Sequence, residues 1–416
     1  MKKSLRTGAV IASSAMVAMT LASCGFGGGG GTSDSSSSGI TTLNLMVANY
    51  SDNTKAEWQQ IIKDFEAKNT DIKVTLDVQS WDDINDVIKT KVQAKQQPDI
   101  LNIDAFAGFA ADDLLYPVKD VVSPEVLSDF QDTFVKNASI DGTQYGLPFL
   151  ASARALFYNQ DVFDKAGVTA PPKTWSEFEE AASKIKASGA GIGYGLPLGS
   201  EEAQAETAIW FYGAGGGYGD AAELQIDSTQ NLEGATEIQK IAKMGVTEAN
   251  PGSTNRTPLF NVFIQGKIGM MVGLPPFVGQ IKDKNPTMKY GVAPIPTKDG
   301  SAFTLGVADH LMAFKNKVDK TGAIKKFLDY FYSADVYTKW IAAEGFLPTT
   351  KSGASGLASN ETLKPFLDLL PNAQFYPSTN PKWSAAQGAI QSQIGQLTTG
   401  ADPAELLKAI QAKVTE

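Results

Sequence analysis

Thr41–Gln79 reads TTLNLMVANYSDNTKAEWQQIIKDFEAKNTDIKVTLDVQ, and its two changes of period decide the fold. Leu43, Leu45 and Val47 alternate with Asn44 and Met46, which is the period of a strand. From Ala56 the period lengthens, and Trp58, Ile61, Ile62 and Phe65 fall on one helical stripe. At Ile72 the period of two returns, with Val74, Leu76 and Val78. Beyond this stretch Ile84, Val87, Ile88 and Val92 form a second helical stripe, and PDILNI (Pro98–Ile103) a third strand. Strand, helix, strand, helix, strand is the pattern of an α/β fold on a mainly parallel sheet.

A second run of the same kind starts at Ala155-Leu-Phe-Tyr158. The helix after it is announced by Pro171-Pro-Lys-Thr174-Trp-Ser-Glu177, where Thr174 and Glu177 stand at capping-box spacing. Phe178, Ala181, Ala182 and Ile185 continue it at helical spacing. Later helices are expected over 324–343 and 403–414, and there is no internal repeat. Roughly 375 residues follow Ile40, too many for one compact core, so two α/β lobes are expected.

The N-terminus reads differently. Lys2, Lys3 and Arg6 precede an uncharged stretch, Thr7–Ala22, rich in Ala, Val, Met and Leu, as in a secretory signal. Cys24 is the only cysteine, so it has no disulfide partner and no companion for a Cys-rich metal site. Leu21-Ala-Ser-Cys24 resembles the bacterial lipobox, which implies a lipid-modified Cys24 and removal of residues 1–23. Residues 24–40 are then a Gly/Ser tether, too polar to bury a core. The signal holds three of the 36 basic residues and none of the 45 acidic ones, which leaves 33 against 45, a net −12. So acidic a body argues against nucleic acid as a partner and against lying flat on an anionic membrane.

Much chemistry is missing. His310 is the only histidine, and there is no His-Glu-x-x-His helix or Gly-Lys-Ser/Thr phosphate loop. Gly213-Ala-Gly-Gly-Gly-Tyr-Gly219 fails as a nucleotide loop, because Tyr218 stands where a glycine is needed and a helix precedes it; it reads as a turn. Asp82-Asp83, Asp112-Asp113 and Glu201-Glu202 are adjacent acid pairs and read as solvated surface. His310 reads as a hydrogen-bonded structural histidine. No cofactor and no catalytic residue is expected.

Seven segments together resemble the extracellular solute-binding proteins of ABC importers, in the carbohydrate-binding family that includes maltose-binding protein. They are Ile62-Lys-Asp-Phe-Glu-Ala-Lys-Asn69 with Ile72-Lys-Val74, Pro98-Asp-Ile100, Asp141-Gly-Thr-Gln-Tyr-Gly-Leu-Pro148 with Ala155-Leu-Phe-Tyr-Asn159, Pro171-Pro-Lys-Thr-Trp-Ser-Glu-Phe178, Phe263-Ile-Gln-Gly-Lys-Ile-Gly-Met-Met271, Glu344-Gly-Phe-Leu-Pro348 and Gly400-Ala-Asp-Pro-Ala-Glu405. The resemblance implies a type 2 periplasmic-binding fold, with two α/β lobes that close over a ligand by hinge bending. It places one lobe at 41–149 and 306–348 and the other at 153–303 and 352–416. The implied function is capture of a sugar or oligosaccharide and its delivery to ABC permease subunits by a monomeric, lipid-anchored, extracytoplasmic protein that is not an enzyme. The same role for a polyol, a glycerophosphodiester or a peptide is the alternative, and a lipid-anchored glycan hydrolase a more distant one.

A sugar offers apolar ring faces and a hydroxyl rim, so its site needs aromatic planes and planar polar groups, on loops at strand ends. Tyr50, Trp81 and Asp104 follow the first three strands, and Arg154 stands at the first crossing between lobes. The resemblance adds Glu206 and Trp210, Phe277 in place of a family Trp, and Trp383. Asp309, the neighbour of His310, completes the set of candidate ligand contacts. Trp58 and Trp340 fall on helix stripes and are expected in the core.

Overall fold

The computed structural model describes residues 39–415. The expectations placed on residues 1–23, on Cys24 and on the tether up to residue 38 lie outside the described residues.

The opening run is β1 (Thr41–Ala48), α1 (Thr54–Lys68), β2 (Ile72–Gln79), α2 (Ile84–Gln93) and β3 (Ile100–Ile103), in the expected order. β1 lies between β2 and β3 and is parallel to both, with Leu45 opposite Leu76 and Ile100. Burial is two-sided. Leu43, Leu45 and Val47 join α1's Trp58, Ile61, Ile62 and Phe65 in one cluster. Met46 and Ala48, on the other face, join Ile84, Ile88, Leu101 and Ile103. The Met46 side of β1 is therefore core as well, because α2 covers it.

β4 (Leu147–Ala153) and β5 (Ala155–Asn159) are separated by Arg154 alone, yet they belong to different sheets. β5 starts the second sheet, followed by α3 (Trp175–Ser188), β6 (Ile192–Gly195), α4 (Ala203–Gly213), α5 (Thr229–Met244), α6 (Arg256–Ile264), β7 (Ile268–Gly273), α7 (Pro276–Lys284) and β8 (Tyr290–Ala293). Its order is β8-β5-β7-β6, with β5 antiparallel to both neighbours and β6 parallel to β7. α3 carries the expected capping box: Thr174 Oγ1 accepts from Glu177 N (3.2 Å) and Glu177 Oε2 accepts from Thr174 N (3.3 Å). It ends at Gly189, whose φ of 68° suits a residue without Cβ. The Gly213–Gly219 segment is a turn clamped by Asn231, which bonds both the N–H and the carbonyl of Gly217 (2.9 and 2.7 Å). That leaves this N–H unavailable to a phosphate.

The chain returns on β9 (Thr304–Ala313), antiparallel to both β3 and β4. The first sheet runs β10-β9-β3-β1-β2, with β4 also on β9 and β10 (Ala373–Phe375) parallel to it. The mainly parallel expectation holds for β1–β3, for β10 on β9 and for β6 on β7, while β9 is antiparallel to β3 and β4, and β5 to both its neighbours. α8 (Thr321–Phe331) and α9 (Ala334–Glu344) bury Phe327, Phe331, Tyr337 and Trp340 in the cluster that holds Leu45 and Trp58 and that continues into the second sheet through Phe157 and Met271. The segment 352–416 is divided between the two bodies. α10 (Lys351–Leu357) starts against first-sheet elements, Ser352 donating from N and Oγ to Asp129 (3.0 and 2.5 Å). α11 (Trp383–Gln393) and α12 (Pro403–Thr415) add Trp383, Ile390, Leu407 and Ile410 to the second sheet's cluster. No helix among the described residues is long and apolar enough to cross a membrane.

Candidate ligand-binding cleft

The C-terminal ends of β1, β2 and β3 face one cleft. Asn49–Asp52 follows β1, Ser80–Asp82 follows β2 and Asp104 follows β3. The opposing wall comes from Glu201 and Glu202 ahead of α4, Arg256 and Thr257 at the start of α6, and Leu274 after β7. The cleft has an outer part of about 290 Å³ and an inner part of about 70 Å³, joined through Tyr50, Trp81, Glu201, Glu202, Leu274 and Phe346. Three contacts bridge it. Asn255 Nδ2 donates to Asp82 Oδ1 (2.7 Å), Lys284 Nζ lies 3.7 Å from Asp52 Oδ2, and Gln387 Nε2 donates to Asp104 Oδ2 (3.3 Å).

The first wall is aromatic, with acids behind. The Tyr50 ring meets Trp81 edge-on at 5.6 Å and Phe346 at 5.0 Å. Trp81 is half-buried and lines both parts of the cleft. Tyr50 Oη donates to Asp309 Oδ2 (2.5 Å) and lies 2.9 Å from Asn102 Oδ1. Burial, then the Asp309 charge, pushes the Tyr50 hydroxyl well above its ordinary value, so it stays a donor. Burial, then Asp104, pushes Asp309 up to about 7, while Tyr50 and Arg154 pull the other way. Burial also raises Asp104, against the Trp383 indole, nearby backbone N–H groups and Gln387. Asp104 Oδ1 has no hydrogen-bond partner among the described residues.

His310 is structural. The register of β9 on β4 shifts between Asp309 and His310. His310 Nδ1 is 2.9 Å from the Asp104 carbonyl oxygen, and Phe106 meets the ring edge-on at 5.0 Å. Burial lowers its pKa to about 4, so it is neutral near pH 7.

The second wall is ionic. Glu202 pairs with Arg154 through Oε1 and with Arg256 through Oε2. Both arginines are 3% exposed. Burial, then Arg154, lowers Arg256 to about 9. Glu201 Oε2 accepts from Thr257 N (3.0 Å) and its other oxygen from the Thr257 hydroxyl. Burial, then Glu201, raises Asp82.

Of the candidate contacts, Tyr50, Trp81, Asp104, Arg154 and Asp309 meet in the cleft. Four others do not. Glu206 and Trp210 lie inside α4, which is buried on all sides, so only the residues around its N-terminus reach the cleft. Tyr194 Oη and Trp210 Nε1 both donate to Glu206 Oε1 (2.6 and 3.2 Å), and burial pushes Glu206 up to about 7. Phe277 stacks on Phe260 at 4.0 Å and meets Phe157 at 4.9 Å in the core, while its neighbours Leu274 and Pro276 line the cleft. Trp383 is fully buried behind Tyr376, stacked at 5.0 Å, and it is Tyr376 that lines the inner part.

Sequence reasoning missed Glu201, Glu202, Arg256, Phe346, Tyr376 and Gln387. Glu201-Glu202 is not solvated surface: Glu201 is buried and Glu202 is held by two guanidinium groups. One signal was available. Arg6, Arg154 and Arg256 are the only arginines in the chain, whose other basic residues are lysines. A rare Arg marks a place that needs a rigid planar fork.

Two α/β bodies with a polar, aromatic-sided cleft at the strand ends define a ligand-binding protein of the periplasmic-binding type. The chain belongs to the bacterial extracellular solute-binding protein family, whose model matches residues 50–338. A putative binding protein of Brucella abortus (strain 2308) is 35% identical over 383 residues, 89% of this chain and 92% of that protein. The diacetylchitobiose binding protein DasA of Streptomyces coelicolor is 24% identical over 417 residues, 95% of this chain and 94% of DasA. Among solved structures, an ABC transporter solute binding protein from Thermotoga lettingae bound with alpha-D-tagatose superposes with a TM-score of 0.80 at 24% identity, covering 90% of this chain and 98% of that one.

Proposed function

We propose that the protein captures a sugar or short oligosaccharide outside the cytoplasmic membrane and delivers it unaltered to the permease subunits of an ABC importer. The observation that carries this is the pairing, in one cleft, of the half-buried Trp81 ring with carboxylate, amide and guanidinium groups, which are able to bond hydroxyls. The sugars in the names of DasA and the Thermotoga neighbour support it. Lobes of 41–149 with 306–348, and of 153–303 with the part of 352–416 that carries α11 and α12, put hinge motion on β4 and β9, and ligand then shifts an open–closed equilibrium. A lipid on Cys24 and the Gly/Ser tether hold a monomer at the membrane. No turnover is proposed, in keeping with a family of binding proteins.

The second reading is a ligand bearing phosphate, as in a glycerophosphodiester, because Arg154 and Arg256 both line the cleft. Calorimetric titration with mono- and oligosaccharides, followed by product analysis of the same samples, tests the proposal. Saturable one-to-one binding with intact sugar supports it. Binding of glycerol phosphates alone favours the second reading, and released products refute both.

A further inference from the structure

Two buried guanidinium forks aimed at one point would ordinarily make an anion site, since the fork matches carboxylate and phosphate oxygens. In this cleft the point is already filled from within. Glu202 sits between the forks, one carboxylate oxygen on Arg154 and the other on Arg256. Among the described residues neither arginine has another ion pair, and Arg154 Nε and Nη1 and Arg256 Nε and Nη2 have no hydrogen-bond partner. Glu202 is the opposite of a buried strut: its side chain is 24% exposed and lines both parts of the cleft. Its backbone is non-helical (φ −153°), which lets it reach the cleft floor beside Glu201.

We propose that Glu202 is a specificity-determining residue: it occupies the anion position between Arg154 and Arg256, so the cleft accepts uncharged polyhydroxylated ligands and refuses their carboxylated or phosphorylated counterparts. This rests on the sugar-binding reading and narrows it. A ligand carboxylate could reach the forks only by displacing Glu202 into a cleft that Glu201 on its own wall and Asp82 on the facing wall also line, both acidic residues. A hydroxyl need displace nothing, because it is uncharged and can donate to the exposed carboxylate of Glu202, which lines both parts of the cleft.

The test uses matched rings that differ only in charge: glucose with glucuronate and galactose with galacturonate, titrated into the wild-type protein and into E202Q and E202D. Wild type is expected to bind the hexose at least about ten-fold more tightly than its uronate, and E202Q to shrink or reverse that ratio by about ten-fold, as for a like-charge juxtaposition. E202D keeps the charge and should hold a ratio within about three-fold of wild type. A merely structural Glu202 would lower both affinities together and leave the ratio alone, and that result overturns the proposal. If E202Q does not fold, the wild-type ratio decides: a uronate bound as tightly as its hexose overturns the proposal. Hexose binding without discrimination removes the role of Glu202 alone. Binding of glycerol 3-phosphate with no hexose overturns the sugar reading as well.

Discussion

Replacing Asp309 by Asn should stabilise the ligand-free protein at pH 8 while weakening ligand capture. Asp309 is 3% exposed and titrates near 7, against ~3.9 for an unfolded aspartate. Its folded-state pKa is raised, so the charged form is the costly one. Stability is fully present below the unfolded pKa, falls as pH rises from about 4 to about 7, and stays reduced above that. Three pKa units at ~1.36 kcal/mol each put the penalty at roughly 4 kcal/mol at pH 8, an upper bound. Asn retains an oxygen for the Tyr50 hydroxyl and removes the charge. Allowing for burial of an amide, D309N should gain roughly 2–4 kcal/mol at pH 8, or about 3–5 °C in Tm for a chain of this size.

The pH dependence isolates the cause. Between pH 8 and pH 6.5 a buried carboxyl titrating near 7 recovers about 0.8 kcal/mol, or about 1–2 °C, by taking up its proton. Glu206 and Glu237, also pushed up to about 7, behave alike, so the carboxyls together should return about three times that amount in the wild-type protein and about twice in D309N. His310 works in the opposite direction. Its folded pKa is near 4, while an unfolded histidine is half-protonated at about pH 6.5, which costs about 0.4 kcal/mol there, equally in both proteins, so it cancels in their difference. Scanning calorimetry of both proteins at pH 6.5, 7.25 and 8 measures the slopes. A D309N protein that melts below wild type at pH 8, with the wild-type slope retained, would refute the reasoning.

Other outcomes follow from the same contacts. Trp81→Ala should weaken sugar binding by about ten-fold with Tm nearly unchanged, whereas Trp383→Ala should cost about 3–5 kcal/mol of stability; calorimetry and thermal melts separate the two, and equal effects on binding would contradict the site as drawn. Asn255→Ala removes the bridge to Asp82 and should shift the ligand-free protein toward open forms, read as a longer distance between fluorophores placed on the two lobes; an unchanged distance would show the bridge to be incidental. Thr174→Ala removes the α3 cap and should lower stability by about 0.5–2 kcal/mol without altering ligand affinity, tested by melting and titration together.

The parts of the site that were legible in the sequence are those that topology alone positions. A residue just past a parallel strand stands at the carboxyl edge of the sheet, whatever packs elsewhere, so Tyr50, Trp81 and Asp104 could be placed from period and order. Glu206, Trp210, Phe277 and Trp383 rested on likeness to other proteins' helices, where the exposed face depends on tertiary packing that no local pattern encodes. α4 shows why: every residue from Ala203 to Gly213 is buried, so it offers no hydrophobic stripe against a polar one to orient it. The acid pair Glu201-Glu202 was misjudged on the premise that adjacent acids on a helix diverge. They stand just ahead of α4, on non-helical backbone, where neighbouring carboxylates can serve one cleft.

The two kinds of acid in this cleft resolve the same electrostatic problem in different ways, and the difference bears on function. Glu202 faces two guanidinium groups that hold one carboxylate oxygen each, so it can act as a fixed filter. Asp309 has a neutral phenol as its hydrogen-bond donor and Asp104 as a repelling neighbour, so its charge is held only weakly near neutrality. A ligand that donates a hydroxyl hydrogen bond to Asp309 stabilises the carboxylate and should release a fraction of a proton near pH 7 rather than bind one. Titrations run in two buffers of different ionisation enthalpy will measure that exchange. Proton release that grows as pH falls from 8 to 6.5, and that vanishes in D309N, would place the ligand against Asp309. Exchange of the opposite sign would mean that the ligand meets the protonated acid and that Asp104, with its unpartnered oxygen, is the acceptor.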